Sequence, residues 1–151
     1  MANTGFHILF HGSNAANFRA GFETLIDPVH RISDVSDTLD KEGERALFET
    51  ADVIVGVALN AQMPRPRLAR LYQAPAAGTD AIDLTCLAAQ TALCNCFGHE
   101  NAIAEYVMAA LLLRHVPLAQ ADQDLRSQRW TYWAGQPGAL RTELSEQTFG
   151  V

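Results

Sequence analysis

Three small residues in one predicted loop are the first candidates for chemistry. Residues 75–80 read PAAGTD and follow a short predicted strand. Ala76, Ala77 and Gly78 have little or no side chain, so their backbone amides could approach a ligand closely and hold a carboxylate. The alternative is an ordinary tight turn, in which Gly78 takes a positive φ and Asp80 caps a short helix. On these residues alone, the turn is the simpler interpretation.

Polar side chains near the next predicted strand, at 91–95, form a second group of candidates. Asn95 ends that strand, and its amide could donate to a substrate oxygen or simply form a turn. His99, Glu100 and Glu105 follow, but their spacing matches no strong metal-ligand pattern, so we predict no metal site. Glu105 lies in an apolar stretch, where we expect an arginine or a backbone amide as its partner.

Motifs that would define a self-contained catalytic site are missing from the sequence. It contains no G-x-G-x-x-G, P-loop, G-x-S-x-G or HExxH pattern. No serine, threonine or cysteine has an evident base beside it. The three cysteines, Cys86, Cys94 and Cys96, are an odd number without framework spacing, which argues against a disulfide framework. Cys94 and Cys96 are two positions apart, and we expect both to be small buried side chains. We therefore predict no catalytic residue in this chain.

Short apolar segments alternate with helical patterns over the first two thirds of the chain. Such alternation predicts an α/β fold with a parallel five-stranded sheet and helices on both faces, arranged as in flavodoxin. The strands are expected at 7–12, 29–33, 53–57, 72–74 and 91–95. The helices are expected at 13–26, from Asp40, after Pro64 and Pro66 with Leu68 and Leu71 on one side, and as a short turn at 81–89.

The last third of the sequence has a different pattern. A long helix is predicted from Asn101, and it is apolar nearly all round between residues 106 and 113. Pro117 should break that helix before a polar helix begins. Residues 148–151 resemble the first residues of a buried strand.

Composition and charge exclude several classes of function. The chain has 48% hydrophobic and 19% charged residues over 151 residues, enough to build a core. A net charge of −6 argues against nucleic acid as a partner. No signal peptide is evident, and the apolar run at 106–113 is far shorter than the ~20 residues of a membrane span. We expect a cytoplasmic protein without a membrane partner.

Four segments, taken in order, resemble the D-isomer-specific 2-hydroxyacid dehydrogenases. They are AAGTDAID, LCNCFGHENAIAEYVMAALLL, DQDLRSQRW and ELSEQTFGV, and the resemblance spans roughly residues 45–151. In that family the last segment leads into a dinucleotide-binding domain, and Glu146 replaces its usual glycine here. The resemblance implies a substrate domain at 1–98. Residues 99–151 would form an interdomain helix and dimer arm that lead to the start of a dinucleotide-binding domain.

The resemblance also implies a reaction and a set of binding residues. Family enzymes interconvert 2-hydroxy and 2-keto acids with NAD or NADP, using a histidine and an arginine from the cofactor domain. By position, the backbone of residues 76–78 would hold the substrate carboxylate, Asn95 would lie at the cleft and Ile103 near the nicotinamide. A homodimer would form through residues 101–130.

By the same resemblance, this sequence ends just before the family's glycine loop. We therefore expect the chain to be a truncated dehydrogenase that binds no NAD or NADP and is inactive alone. One alternative is a degenerate homologue, a non-catalytic α/β module that dimerises through the arm. A flavodoxin-like flavin protein or response regulator is a weaker alternative, because Ser13 is not part of a phosphate-binding cluster and no paired acids follow the first strand.

Overall fold

The computed structural model describes residues 5–133, 135 and 143–150. The chain divides into two compact units, Met1–Phe97 and Gly98–Val151. The sequence placed the boundary after residue 98, one position later. The substrate-domain and dimer-arm roles of the two segments stay predictions.

The first unit contains a five-stranded sheet in which every neighbouring pair is parallel. The strand order is β2-β1-β3-β4-β5, the doubly wound order of flavodoxin-like folds. The strands are β1 His7–His11, β2 Arg31–Val35, β3 Val53–Val55, β4 Leu71–Gln73 and β5 Ala92–Cys94. The predicted fold class is confirmed, and β2 lies at the sheet edge, where the weaker pattern of the second strand suggested it would be.

Side chains of successive strand residues enter two separate cores, one on each face of the sheet. Leu9, Ile54 and Tyr72 belong to the larger core, and Ile8, Phe10 and Val55 belong to the smaller one. This division follows from the two-residue period of a strand, which alternates side chains between faces. The continuous apolar runs in β1 and β3 therefore reflect burial on both faces.

Short helices cover the two cores. They are α1 Gly12–Ala16, α2 Arg19–Glu23 and α3 Glu44–Thr50. Phe48 of α3 packs in the larger core, whereas Ala15 of α1 lies in the smaller one. The predicted helix at 13–26 is thus two short helices, and Leu25 of its apolar stripe is 84% exposed.

Two other predicted helices are wrong in extent. Residues 64–69 form no helix, because Pro64 and Pro66 are buried in an irregular segment and Leu71 already belongs to β4. The turn predicted at 81–89 is a single 3-10 turn, Leu84–Cys86. Two leucines three residues apart, Leu68 and Leu71, were insufficient evidence for a helix, because Leu71 is the first residue of β4.

One face of β4 and β5 is only partly covered. Leu71 and Gln73 are half-buried, and their partners Ala92 and Cys94 are exposed. Cys96 is exposed as well, so the predicted burial of Cys94 and Cys96 is wrong. The strand pattern did not reveal this, because periodicity shows which residues share a face and not whether another element covers it.

The second unit contains two helices, α4 Glu100–His115 and α5 Leu118–Arg126, and a 3-10 turn at Leu144–Glu146. The helices are bent by 51° at the break near Pro117. No single helix of the described residues is long and apolar enough to cross a membrane, although this bent pair passes that test together on length and composition. Residues 147–150 lack strand structure, so the predicted terminal strand is not formed there, and Val151 lies outside the described residues.

Candidate functional site

The loop after β4 lies at the carboxyl edge of the sheet, where open α/β folds bind ligands. Ala76 is half-buried, and Ala77 and Gly78 are exposed. Within the part of the chain that the structure describes, the amides of these three residues donate no hydrogen bond. Their N–H groups are thus available to a ligand from solvent.

Backbone carbonyls of the loop are held by the end of β5. The amide of Cys96 donates to the carbonyl oxygen of Ala76 at 3.0 Å. The side-chain amide of Asn95 donates to the carbonyl oxygen of Ala77 at 2.8 Å. In a planar trans peptide the N–H points opposite to the C=O, so the amides of Ala77 and Gly78 face away from the end of β5. Two consecutive amides on one side of a loop can hold a carboxylate.

The far end of the loop is fixed by a different set of backbone bonds. The amide of Leu59 donates to Ala81 at 2.9 Å, and the amide of Asp83 donates back to Leu59 at 2.8 Å. This exchange forms a parallel bridge between Leu59 and Ile82. Both ends of the loop are therefore held by backbone hydrogen bonds, the first by Cys96 after β5 and the far end by Leu59 after β3, and these bonds restrict the geometry between them.

Gly78 does not have the positive φ that the tight-turn interpretation assigned to it. The described glycines with positive φ are Gly12, Gly43 and Gly98, so the interpretation of Gly78 as a left-handed turn residue is wrong. Asp80 caps no helix. Asp83 caps the 3-10 turn instead, and hydrogen bonds from the hydroxyl and amide of Thr85 lower the pKa of its carboxyl.

Asp80 places a negative charge next to the exposed amides. A Cβ added to Gly78 would lie 3.5 Å from a carboxylate oxygen of Asp80, an ordinary contact distance. The loop thus combines two N–H donors with one nearby carboxylate. That charge weakens the attraction of the amides for an anion, since like charges at this separation repel.

His11 is a buried titratable residue at the same edge of the sheet, and sequence reasoning missed it. It ends β1 with 3% of its surface exposed, and its ring packs edge-on against Phe48. Nε2 lies 3.3 Å from the carbonyl oxygen of Asp37, whereas Nδ1 has no hydrogen-bond partner among the described residues. Burial lowers the pKa of His11, and neighbouring oxygens, chiefly those of Asp37, offset only part of that effect. The signal was a histidine ending an apolar strand.

Sequence candidates in the second unit lie on α4 and its amino terminus. Ile103 is 54% exposed on α4, and its assignment to the cofactor stays a prediction. His99 precedes the helix and makes no capping bond. The carboxylate of Glu100 accepts from Gly98 at 2.8 Å, and hydrogen bonds from its own amide first and then from Gly98 lower its pKa. Glu105 is exposed, and its carboxylate has neither an ion pair nor a hydrogen bond in the described ranges, so the expected arginine or backbone-amide partner is not found.

No group of three potential metal ligands comes together in the part of the chain that the structure describes. A polar cluster in the second unit surrounds Asp124, which is 6% exposed. Its carboxylate accepts hydrogen bonds from Gln120 at 3.0 Å, Arg129 at 2.6 Å and Thr131 at 2.8 Å. These bonds, led by those from Thr131 and Arg129, lower the pKa of Asp124. The cluster fixes the turn at the end of α5.

Comparisons with known proteins show a distant likeness of fold. No protein-family model matches the chain, and no curated protein matches it significantly. A solved structure from the identification of the pyruvate reductase of Chlamydomonas reinhardtii is similar, with a TM-score of 0.54 and 19% sequence identity. The alignment covers 93% of this chain and 42% of that one, so the chain spans less than half the length of that structure. At this identity the likeness shows the fold alone.

Proposed function

We propose that the first unit is the substrate-binding part of an NAD(P)-dependent oxidoreductase that interconverts a 2-hydroxy acid and a 2-keto acid. The observation that carries this proposal is the pair of outward-facing amides of Ala77 and Gly78 at the carboxyl edge of the sheet. The four sequence segments and the fold shared with a pyruvate reductase support the same reaction class. The substrate carboxylate would accept hydrogen bonds from the two amides.

The proposed role of this chain leaves the nicotinamide and the acid-base chemistry unassigned. NAD or NADP would transfer a hydride to or from C2 of the substrate, as nicotinamide cofactors do. This chain contains no G-x-G-x-x-G, so its own contribution would be to orient the acid and to present Ile103 to the cofactor. We therefore expect no turnover by these 151 residues alone.

Titration of the 15N-labelled chain with pyruvate tests the binding site. We expect shifts of the Ala77 and Gly78 amide signals with a dissociation constant on the order of millimolar, because two hydrogen bonds to a small acid give little free energy. Propionamide, which is similar in size and uncharged, is the control and should leave those signals in place. Unchanged Ala77 and Gly78 signals at saturating pyruvate would contradict the proposal, as would oxidation of NADH by the chain with 2-keto acids.

A homodimer through residues 101–130 belongs to the same proposal. The support is the exposure of large apolar side chains on α4, where Tyr106 is 76% exposed and Leu113 is 65% exposed. A contiguous apolar surface of this kind is typical of an interface. The Leu113→Asp variant should shift the mass measured by light scattering towards the monomer. Leu84→Asp, at a 64% exposed leucine of the first unit, is the control and should not.

The same exposed helix also favours a second candidate, a non-catalytic module that dimerises through the arm. The two candidates differ in the behaviour of the loop after β4. A dimer whose Ala77 and Gly78 amide signals do not shift when pyruvate is added would favour the non-catalytic module. A dimer whose signals shift with pyruvate would favour the dehydrogenase.

A further inference from the structure

Two bonds orient the exposed amides of the loop, and they differ in how far they depend on residue type. The bond from Cys96 to Ala76 joins two backbone groups and would form with any residue except proline at position 96. The bond from Asn95 to Ala77 uses a side-chain amide. Among the described contacts of this loop, the orientation of the Ala77–Gly78 peptide therefore depends on the identity of residue 95.

Neither aspartate nor leucine at position 95 would reproduce this bond. Aspartate at this position has no amide donor, and leucine has the shape of asparagine without any polar atom. Without the donor, the carbonyl of Ala77 would turn towards water. The Ala77 C=O and the Gly78 N–H belong to one planar peptide and point in opposite directions. Rotation of that plane would therefore turn the Gly78 N–H away from the N–H of Ala77.

We propose that Asn95 is a positioning residue, whose hydrogen bond to Ala77 holds the Gly78 amide in the orientation that binds a carboxylate. This inference rests on the proposed function, and it gives Asn95 a role that acts through the loop and not through direct contact with substrate. Preorganised donors bind an anion better than mobile ones, because the loop need not be ordered on binding.

The test compares the 151-residue chain with its Asn95→Leu variant, using 13C,15N labelling. Loss of the bond should move the Ala77 carbonyl signal and the Gly78 amide signal before any ligand is added. The dissociation constant for pyruvate should rise about tenfold, with a thermal midpoint within a few degrees of the parent chain. Gln90→Leu is the matched control, because Gln90 also donates its side-chain amide to a backbone carbonyl, that of Arg67 at 3.3 Å, before β5 begins. It should leave pyruvate binding unchanged.

Each other outcome has a distinct meaning. Weaker pyruvate binding with an unchanged Ala77 carbonyl signal would assign Asn95 to direct contact and overturn the positioning role. A moved carbonyl signal with parental affinity would overturn it too. If the parent chain itself fails to bind pyruvate, the proposed function fails. The carbonyl and amide signals of the unliganded Asn95→Leu chain then still decide whether Asn95 orients the loop.

Discussion

The side-chain amide of Asn95 lies 2.8 Å from the carbonyl oxygen of Ala77, although the two residues are 18 positions apart. This contact joins the ends of β4 and β5, the two strands that bring the candidate carboxylate site together. Because the Ala77 C=O is held by Asn95, the Gly78 N–H of the same peptide points outward. A loop that reads as an ordinary turn in the sequence is thereby a preformed pair of donors.

Removing the charge of Asp80 should strengthen binding of an anion to this loop. The Asp80→Asn variant is expected to lower the dissociation constant for pyruvate about three- to tenfold, since one like charge about 5 Å away in water-like surroundings is worth about 1 kcal/mol. Titration followed by the Ala77 and Gly78 amide signals measures this. Glu42→Gln makes the same change in net charge at an exposed position before α3. If both variants bind alike, the charge of Asp80 does not act on the site.

Two glycines should respond differently to a methyl group. Gly12 has a φ of +84°, and an added Cβ would collide with the carboxylate of Asp37. Gly12→Ala should therefore lower the free energy of unfolding by about 1–2 kcal/mol or more. Gly78→Ala meets only an ordinary contact with Asp80 and should change that free energy by less than about 1 kcal/mol. Urea unfolding measures both, and an equal loss would contradict the difference in conformation.

Stability should fall as the pH drops below neutrality because of His11. Burial lowers the pKa of His11 below its ordinary value of 6.5, so the unfolded chain takes up a proton that the folded chain does not. The free energy of unfolding should therefore decrease as the pH falls below about 6.5 and level off below the folded pKa. The pKa of His7 is lowered too, mainly by burial, and adds to the slope.

His11→Gln should flatten this pH dependence between about pH 7.5 and 5.5. The control is His99→Gln, since His99 is exposed. Carboxyl groups with a lowered pKa, such as Asp124, change the free energy of unfolding only near or below about pH 4. They therefore do not contribute to the slope measured between about pH 7.5 and 5.5. Urea midpoints at several pH values give the slopes, and an unchanged slope in His11→Gln would show that another group is responsible.

Asp124 should control the mobility of the segment after α5. Trp130 lies between Arg129 and Thr131, both of which donate to the Asp124 carboxylate, and Trp133 follows two residues after Thr131. Asp124→Ala should therefore lower the anisotropy of tryptophan fluorescence by releasing this turn. Asp122→Ala removes an exposed ion pair with Arg126 and should change the anisotropy little. Equal effects of the two variants would mean that the Asp124 cluster does not order the segment.

The sequence by itself determined the fold class and the approximate position of every strand. Apolar runs such as those of β1 and β3 are local signals, and alternating strand and helix patterns admit few arrangements other than a parallel sheet. The same logic located the loop at 75–80 at the carboxyl edge, because parallel strands end there together. The long helix and its break before Leu118 were also predicted from local signals, since a proline in the interior of a helix interrupts it.

Only the tertiary structure decided how the site is built and which surfaces are covered. The bond from Asn95 to Ala77, the burial of His11 against Phe48 and the exposure of Cys94 each depend on residues distant in the chain. Leu71 fitted a helical stripe and still entered a strand, because pairing within the sheet outweighs a weak local preference. Periodicity shows which side chains share a face of a helix or strand. The hydrogen-bond partner of each polar group depends on how the helices and strands pack against each other, and the sequence pattern does not show that packing.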